Sequence, residues 1–197
     1  DVLAERGIAA WDGHSWPEPP RTDTPSIPLP ILGLADRPLE RRQDLLMSAA
    51  DPGDGHMIVL GAAGSGKSTA LRTAAVSLAM RFSPGLLHLY ILDLAGQSAL
   101  RRLEGLPHVA AVVQRGEEER IERLMGWLQA EVERRTEIFQ RARIDHWRDL
   151  PRLDSAEALP AIYVVVDSIG EARRVPVPDL ARRLTGLIHA APLGIHL

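Results

Sequence analysis

The chain has 197 residues, of which 45% are hydrophobic, and its formal net charge is −3 at pH 7. This size suits one domain with an appendage, and the acidic balance gives no support for a nucleic-acid-binding surface. The absence of cysteine excludes disulfide bonds, thiol catalysis and cysteine-based zinc sites, and no apolar run approaches the roughly 20 residues of a membrane-spanning helix.

The start of the chain differs in character from the remainder. Prolines recur in its second half, so this stretch is predicted to lie extended over a surface and not to form a helix. Trp11 and Trp16 precede the prolines, and we expect them to fix the arm to the domain instead of binding a ligand. The sequence therefore predicts an N-terminal arm and proline-rich linker over residues 1–30 and a domain over residues 31–197.

The rest of the chain alternates predicted strands and helices. An edge strand from Ile31 and a partner ending at Met47 precede a short apolar run, Met57–Leu60, that is typical of a buried parallel strand. The elements that follow are a helix to Met80, strands over Leu86–Leu94 and Val109–Val113, a helix from Glu117 to about Arg143, a strand over Ile162–Asp167, a helix over Leu180–Ala190 and a strand that begins at Gly194. This order predicts an α/β fold with a mostly parallel sheet and helices on both faces.

One motif directs the functional interpretation. Gly61-Ala62-Ala63-Gly64-Ser65-Gly66-Lys67-Ser68-Thr69 matches the P-loop pattern G-x-x-x-x-G-K-[ST], in the strand–turn–helix setting that the pattern requires. Glycines let the backbone N–H groups turn inward, and the start of the helix adds the positive end of its dipole. These residues are therefore predicted to bind the phosphates of a nucleotide.

Lys67 and Ser68 carry the chemistry of this loop. Lys67 is predicted to reach the β- and γ-phosphates as a catalytic residue, and the Ser68 hydroxyl is predicted to hold Mg²⁺. Lys67 is also the only lysine among the 23 lysine and arginine residues of the chain, and a compact ammonium suits a phosphate site. The chain has no asparagine and therefore lacks the Asn-Lys-x-Asp signature by which small GTPases read guanine. ATP is favoured as the nucleotide.

A P-loop site with Mg²⁺ needs a carboxylate at the end of a neighbouring strand. Asp167 closes an apolar, β-branched strand and is predicted to be this Walker B aspartate, as a metal ligand and a catalytic residue. Asp93 ends its own apolar strand in the same way and is the weaker candidate for this role. It is expected to lie behind the direct ligands of the metal.

The residue after Asp167 bears on hydrolysis. In hydrolysing members of this P-loop class a glutamate at that position polarises the attacking water, whereas here it is Ser168, whose hydroxyl is too weak a base. Glu171 could substitute only if the turn brought it back. We therefore expect the nucleotide to be bound well and hydrolysed slowly, so that enzymatic activity stays an open question.

Several stretches resemble one family. They are Leu32-Gly33-Leu34-Ala35-Asp36-Arg37-Pro38, the P-loop with Leu71-Arg72-Thr73, Leu89-Tyr90-Ile91-Leu92-Asp93, Leu103-Glu104-Gly105-Leu106-Pro107-His108-Val109 and Gly194-Ile195-His196-Leu197. Together they look like an ATPase module of the FtsK/SpoIIIE class, and more closely like one of the tandem modules of the EccC ATPases of type VII (ESX) secretion. The P-loop is generic, whereas the L-G-L-A-D-R-P and L-P-H-V stretches are the specific part.

This resemblance implies a RecA-like core, whose further C-terminal strands are missing here, and binding of ATP with Mg²⁺. It also implies a cytoplasmic module, behind a plasma-membrane anchor, that works beside neighbouring ATPase modules and small helical proteins destined for export. A hexamer of the full-length protein is one assembly that it allows, and no nucleic-acid partner is expected. Later modules of this family often lack the catalytic glutamate, so the pair Asp167-Ser168 is similar to a second or third module.

Two other functions remain open at this point. A DNA translocase motor of the same class would need a glutamate after Asp167 and a basic channel, and a free-standing small-molecule kinase would need an acceptor pocket and a lid. The sequence favours a regulatory ATP-binding module with weak or absent hydrolysis. A trans-acting arginine cannot be chosen from the sequence, although the long helix is a candidate place for it, with Arg120, Arg123, Arg134 and Arg135.

Overall fold

The computed structural model describes residues 5, 7–17, 28–47, 55–96, 99–152 and 159–197. The strands are β1 (Ile31–Arg37), β2 (Arg42–Met47), β3 (Leu87–Asp93), β4 (Val109–Gln114), β5 (Ala161–Asp167) and β6 (Ile195–His196), and the α-helices are α1 (Lys67–Arg81), α2 (Glu118–Ala142) and α3 (Leu180–Gly186). Short 3₁₀ helices cover Pro38–Glu40, Arg101–Gly105, Trp147–Arg152, Ile169–Arg174 and Leu187–Leu193. The predicted strands are found apart from the run before the P-loop, and the last predicted helix is divided into α3 and a 3₁₀ segment.

A four-stranded parallel sheet forms the centre of the fold, in the order β4-β3-β5-β6. The register of β3 with β5 runs from Leu87 opposite Ala161 to Asp93 opposite Asp167. β1 and β2 form a separate antiparallel ribbon. The predicted α/β fold with a mostly parallel sheet is confirmed. Because the carboxyl ends of parallel strands meet at one edge of a sheet, Asp93 and Asp167 lie side by side there.

Each face of the sheet has its own apolar core, because successive side chains of a strand point to opposite faces. One core contains alternate residues of β3 and β5, such as Leu89 and Ala161, and packs against Leu78 of α1. The other contains the intervening residues, such as Leu92 and Val164, and packs against α2 and α3. The predicted placement of helices on both faces is therefore confirmed, with α1 on the face opposite α3.

The predicted strand over Met57–Leu60 is wrong for the described structure. These residues belong to neither sheet, and the side chains of Ile58 and Leu60 are 73% and 82% exposed. Their neighbour is β6, which is two residues long, and the Met57 N–H donates to the Leu197 carbonyl at 2.9 Å just beyond it. A strand needs a ladder of such bonds, and this single bond does not supply one.

The described part of the N-terminal arm contacts the end of α1. The Trp16 indole donates to the Ala79 carbonyl at 2.7 Å, and the Trp11 N–H donates to the Met80 carbonyl at 2.7 Å. The two indole rings stack, with centroids 5.8 Å apart. The predicted role of these tryptophans in fixing the arm is confirmed. The domain boundary at residue 30 stays a prediction, and residues 18–27 of the linker lie outside the described residues.

A buried arginine fixes α2 to the sheet. Arg135 is fully buried, and its guanidinium donates to the Glu131 carboxylate at 2.7 Å. It also donates to the carbonyls of Leu193 and Pro160, each at 2.8 Å. Burial alone would raise the pKa of Glu131, but hydrogen bonds from Arg134 and Arg135 outweigh this effect and lower it below its ordinary value. The network joins α2 to the segments that enter β5 and β6.

Candidate nucleotide-binding site

The loop over residues 61–66 leads directly into α1. Gly64 and Gly66 have φ values of 75° and 91°, in the left-handed region that residues with a Cβ rarely adopt. Gly66 caps the helix without a side-chain hydrogen bond, and no acidic residue lies in the first turn. The loop is exposed along its whole length. The start of α1 is therefore open to an anion and carries no carboxylate that would compete for its N–H groups.

Lys67, which is predicted to bind the β- and γ-phosphates, is the first residue of α1. Its ammonium donates to the carbonyl of Gly61 at 3.0 Å and to that of Ala62 at 2.7 Å. These bonds hold the positive charge against the loop. An ammonium has three donors, so the geometry leaves a donor for a phosphate oxygen.

Ser68 and Asp167 lie in contact although 99 positions separate them in the chain. The Ser68 hydroxyl donates to Oδ2 of Asp167 at 2.5 Å, which is short for an O–H···O bond. Ser68 lies in the first turn of α1, and the buried Asp167 is the last residue of β5. The two predicted metal ligands therefore meet at the carboxyl edge of the sheet.

The turn after β5 contains Ser168 and Glu171, the two residues that the sequence offers as candidate bases for the attacking water. Ser168 has a left-handed backbone, with φ of 66°, and its hydroxyl lies 3.4 Å from Oδ1 of Asp167. The Glu171 carboxylate binds Arg115 at 3.1 Å and Arg174 at 2.7 Å. Each oxygen of the Glu171 carboxylate is therefore engaged by an arginine side chain. Neither residue is therefore placed as a strong base for an attacking water.

A second carboxylate, that of Asp93, lies beside Asp167. Asp93 is fully buried, and burial together with the neighbouring Asp167 raises its pKa above the ordinary value. The backbone amides of Gly96, Leu100 and Ala95 counteract this increase, yet none of them has the geometry of a hydrogen bond with the carboxylate. Both side-chain oxygens lack a partner in the described part of the chain. The end of an apolar strand pointed to Asp93 in the sequence, but nothing in the sequence showed that it is unpaired.

The oxygen atoms at this edge suit a hard divalent cation. The hydroxyl of Ser68 and the carboxylate of Asp167 are ligands that Mg²⁺ prefers in proteins. Among the described residues, no group of three or more His, Asp or Glu side chains could hold a metal ion, so phosphate and water oxygens would have to complete the coordination. A magnesium ion bound there would offset the charge of the β- and γ-phosphates. The loop, Lys67 and this edge together fit a nucleoside triphosphate with its magnesium ion.

Comparison with known protein families agrees with this geometry. The sequence profile of the FtsK/SpoIIIE family matches residues 18–182, most of the chain. The chain belongs to the FtsK/SpoIIIE family. Membership in a family of P-loop ATPases implies that the chain binds a nucleotide. The predicted resemblance to this class is therefore confirmed.

Curated relatives of this FtsK/SpoIIIE chain are proteins of ESX secretion. The ESX-4 secretion system protein EccC4 of Mycobacterium tuberculosis is 34% identical over 146 residues, which cover 73% of this chain and 12% of the relative. The ESX secretion system protein EccC of Geobacillus thermodenitrificans is 33% identical over 175 residues, which cover 85% of this chain and 11% of the relative. The chain therefore spans only a small part of the length of these relatives.

Solved structures that resemble this chain also belong to EccC and EssC proteins. EccC of Thermomonospora curvata (ATPases 2 and 3), in complex with a signal sequence peptide, matches with a TM-score of 0.78 and 31% identity over 94% of this chain and 33% of that chain. EssC (ATPases 2 and 3) of Geobacillus thermodenitrificans matches with a TM-score of 0.69 and 31% identity, over 92% of this chain and 34% of that chain. The predicted P-loop ATPase fold and the resemblance to later EccC modules are confirmed.

Proposed function

We propose that this chain is an ATP-binding module of a type VII secretion ATPase, which binds ATP with Mg²⁺ and hydrolyses it slowly. In this proposal ATP is a structural or regulatory ligand that supports the export of small helical proteins. One observation carries the proposal. The contact between Ser68 and Asp167 brings a hydroxyl and a carboxylate, both suited to Mg²⁺, to the end of the exposed P-loop, at the start of α1.

Each residue of the predicted site has a role in this proposal. The backbone of the loop surrounds the phosphates, with contributions from Gly61, Ala62, Ala63, Gly64, Ser65, Gly66 and Thr69. Lys67 binds the β- and γ-phosphates, because its ammonium already lies against the loop through two carbonyls. Ser68 and Asp167 are the residues that would hold the magnesium ion.

The turn after Asp167 supports slow hydrolysis. An efficient ATPase needs a group that orients and deprotonates the attacking water. A hydroxyl at Ser168 does not supply a base, and the Glu171 carboxylate is bound by two arginines. The module is therefore proposed to retain ATP for longer than an active motor would.

The secretion context rests on the relatives. Two solved neighbours contain several ATPase modules in one chain, and one of them was solved with a signal sequence peptide. We extend to this chain a place beside neighbouring modules, contact with secreted helical proteins, and a cytoplasmic location behind a membrane anchor. No helix within the described ranges is both long and apolar enough to span a membrane. Assembly of the full-length protein into a hexamer belongs to the same proposal.

Phosphate release by the purified chain, measured with ATP and Mg²⁺, tests the proposal together with equilibrium binding of ATP in the same buffer. We expect binding, with turnover far below about 1 per second, the lower end for kinases. Undetectable ATP binding would contradict the proposed function as a whole. Turnover at or above that rate would contradict slow hydrolysis, and stimulation of turnover by DNA would favour a DNA translocase motor instead.

A further inference from the structure

Resting on the proposed function, we propose that Asp93 is a positioning residue of the nucleotide site. Its carboxylate accepts hydrogen bonds from water molecules around the magnesium ion that Ser68 and Asp167 hold. ATP affinity would then depend on Mg²⁺ through Asp93 as well as through Asp167.

Asp93 and Asp167 lie on the same face of the sheet. Alternate residues of two strands pack in the core beneath α1, namely Leu87, Leu89 and Ile91 of β3 and Ala161, Tyr163 and Val165 of β5. Two positions further along these strands come Asp93 and Asp167, which are opposite each other in register. The alternation of a strand therefore places both carboxylates on the face that α1 covers. Ser68 binds Asp167 from the first turn of that helix.

The carboxylate of Asp93 is buried without a partner among the described residues. Asp93 is 0% exposed, and neither of its side-chain oxygens has a hydrogen-bond partner among the described residues. Buried polar groups in proteins are almost always hydrogen-bonded, and an orphaned carboxylate therefore calls for a ligand or water that satisfies it. The backbone of Asp93 is already paired, since its carbonyl accepts the Arg115 N–H at 3.0 Å. The side chain of Asp93 makes no hydrogen bond of its own within the described part of the chain.

The other carboxylates at this edge of the sheet already have partners. Asp167 is bound by the Ser68 hydroxyl, and Glu171 is bound by Arg115 and Arg174. Of these three acidic groups, Asp93 is the one whose oxygens remain to be satisfied. Mg²⁺ in phosphate sites usually retains several water molecules, and carboxylates that accept hydrogen bonds from such ligands tune the affinity for the metal. Asp93 has the acceptor oxygens, the burial and the direction for that role.

The test measures binding of a non-hydrolysable ATP analogue, adenosine 5′-(β,γ-imido)triphosphate, by calorimetry over a series of Mg²⁺ concentrations and in EDTA. The variants are Asp93→Asn, which keeps the shape and removes the charge, and Glu171→Gln as the matched control. For Asp93→Asn we expect the Mg²⁺ concentration needed for tight binding to rise by about 10-fold or more. Binding in EDTA should be unchanged or tighter, because a negative charge near the phosphates is lost. Glu171→Gln should follow the wild-type chain in both conditions.

Thermal unfolding without nucleotide separates this role from a structural one. Because the Asp93 carboxylate has no hydrogen-bond partner among the described residues, the melting temperature of Asp93→Asn should be unchanged or higher. An Asp93→Asn chain that melts at a lower temperature or fails to fold would overturn the inference in favour of a structural role. An unchanged Mg²⁺ dependence, or an equal shift in Glu171→Gln, would overturn it as well. If the wild-type chain itself does not bind the analogue, the proposed function fails together with the inference.

Discussion

Replacing Arg135 with methionine would remove the buried charge that holds α2 against the sheet. The guanidinium bonds to Glu131 and to the carbonyls of Leu193 and Pro160. Methionine retains much of the apolar stem but leaves these acceptors without their donor. The matched control is Arg134→Met, because Arg134 binds the same Glu131 carboxylate from a side chain that is 48% exposed.

The expected magnitude follows from burial. Removing Arg135 should cost about 3–5 kcal/mol of the free energy of unfolding, because Glu131 loses its buried partner and keeps only the half-exposed Arg134, while the carbonyls of Leu193 and Pro160 lose their donor. An exposed partner contributes at most about 1 kcal/mol, since water already solvates it. Because about 1 kcal/mol changes the Tm of a domain of this size by roughly 2–4 °C, we expect Arg135→Met to lower the Tm by about 6–20 °C. The control should lose no more than roughly 4 °C.

Thermal and urea unfolding, followed by circular dichroism, measure both variants. A loss of less than about 1 kcal/mol in Arg135→Met, equal to that of the control, would refute the reasoning. The pH gives a second check. The pKa of Glu131 lies below its ordinary value of 4.5 in the folded chain, so its stabilisation is present above that value and is lost as the pH falls through the folded-state pKa. The difference between the two variants should shrink in acid.

Three further changes have expected outcomes. Burial lowers the pKa of His196 from 6.5 to about 4, so the unfolded chain takes up this proton first and the folded state loses roughly 3 kcal/mol as the pH falls between these values. Urea unfolding at several pH values should show this loss diminished in His196→Gln. Trp16→Phe removes the bond to the Ala79 carbonyl and should lower the free energy of unfolding by about 1 kcal/mol in the same assay. Ser168→Gly relieves a left-handed backbone and should raise that free energy by up to about 1 kcal/mol, with phosphate release unchanged.

Each of these expectations can fail separately. An acid response of His196→Gln identical to that of the wild-type chain would remove the buried histidine as its source. A Trp16→Phe chain as stable as the wild type would show that the arm contributes nothing through this bond. Slower phosphate release in Ser168→Gly would give the Ser168 hydroxyl a part in hydrolysis that its chemistry does not predict.

Much of the site could be predicted from the sequence because the relevant signals are local. The loop residues, Lys67 and Ser68 belong to one continuous sequence motif, the P-loop pattern. Asp167 ends a strand that is predicted from its β-branched residues. The long-range contact between Ser68 and Asp167 follows from the parallel order of the strands, which the alternation of strands and helices implies.

Other features depend on tertiary contacts that no local pattern contains. The sequence placed Arg135 among the candidates for a trans-acting arginine, yet it is fully buried and bound within its own chain, so that role is wrong for this residue. The position of Arg135 in the helical repeat of α2 is compatible with the buried face or the exposed face of the helix, and only packing decides between the two. The run Met57–Leu60 has strand composition, but composition does not reveal which backbone groups it pairs with, and in the structure it belongs to neither sheet. That Asp93 has no side-chain partner among the described residues is likewise visible only in the structure.

The central claim is that the P-loop and its lysine bind the triphosphate, and ATP affinity in Lys67→Ala tests it most directly. The matched control is Arg72→Ala, which removes a positive charge further along the same helix. Because a hydrogen bond to a charged group contributes about 1.5–3 kcal/mol, we expect Lys67→Ala to bind ATP with Mg²⁺ roughly 10- to 100-fold more weakly. Arg72→Ala should retain the wild-type affinity. Equal ATP affinity in Lys67→Ala and the wild-type chain would contradict the account.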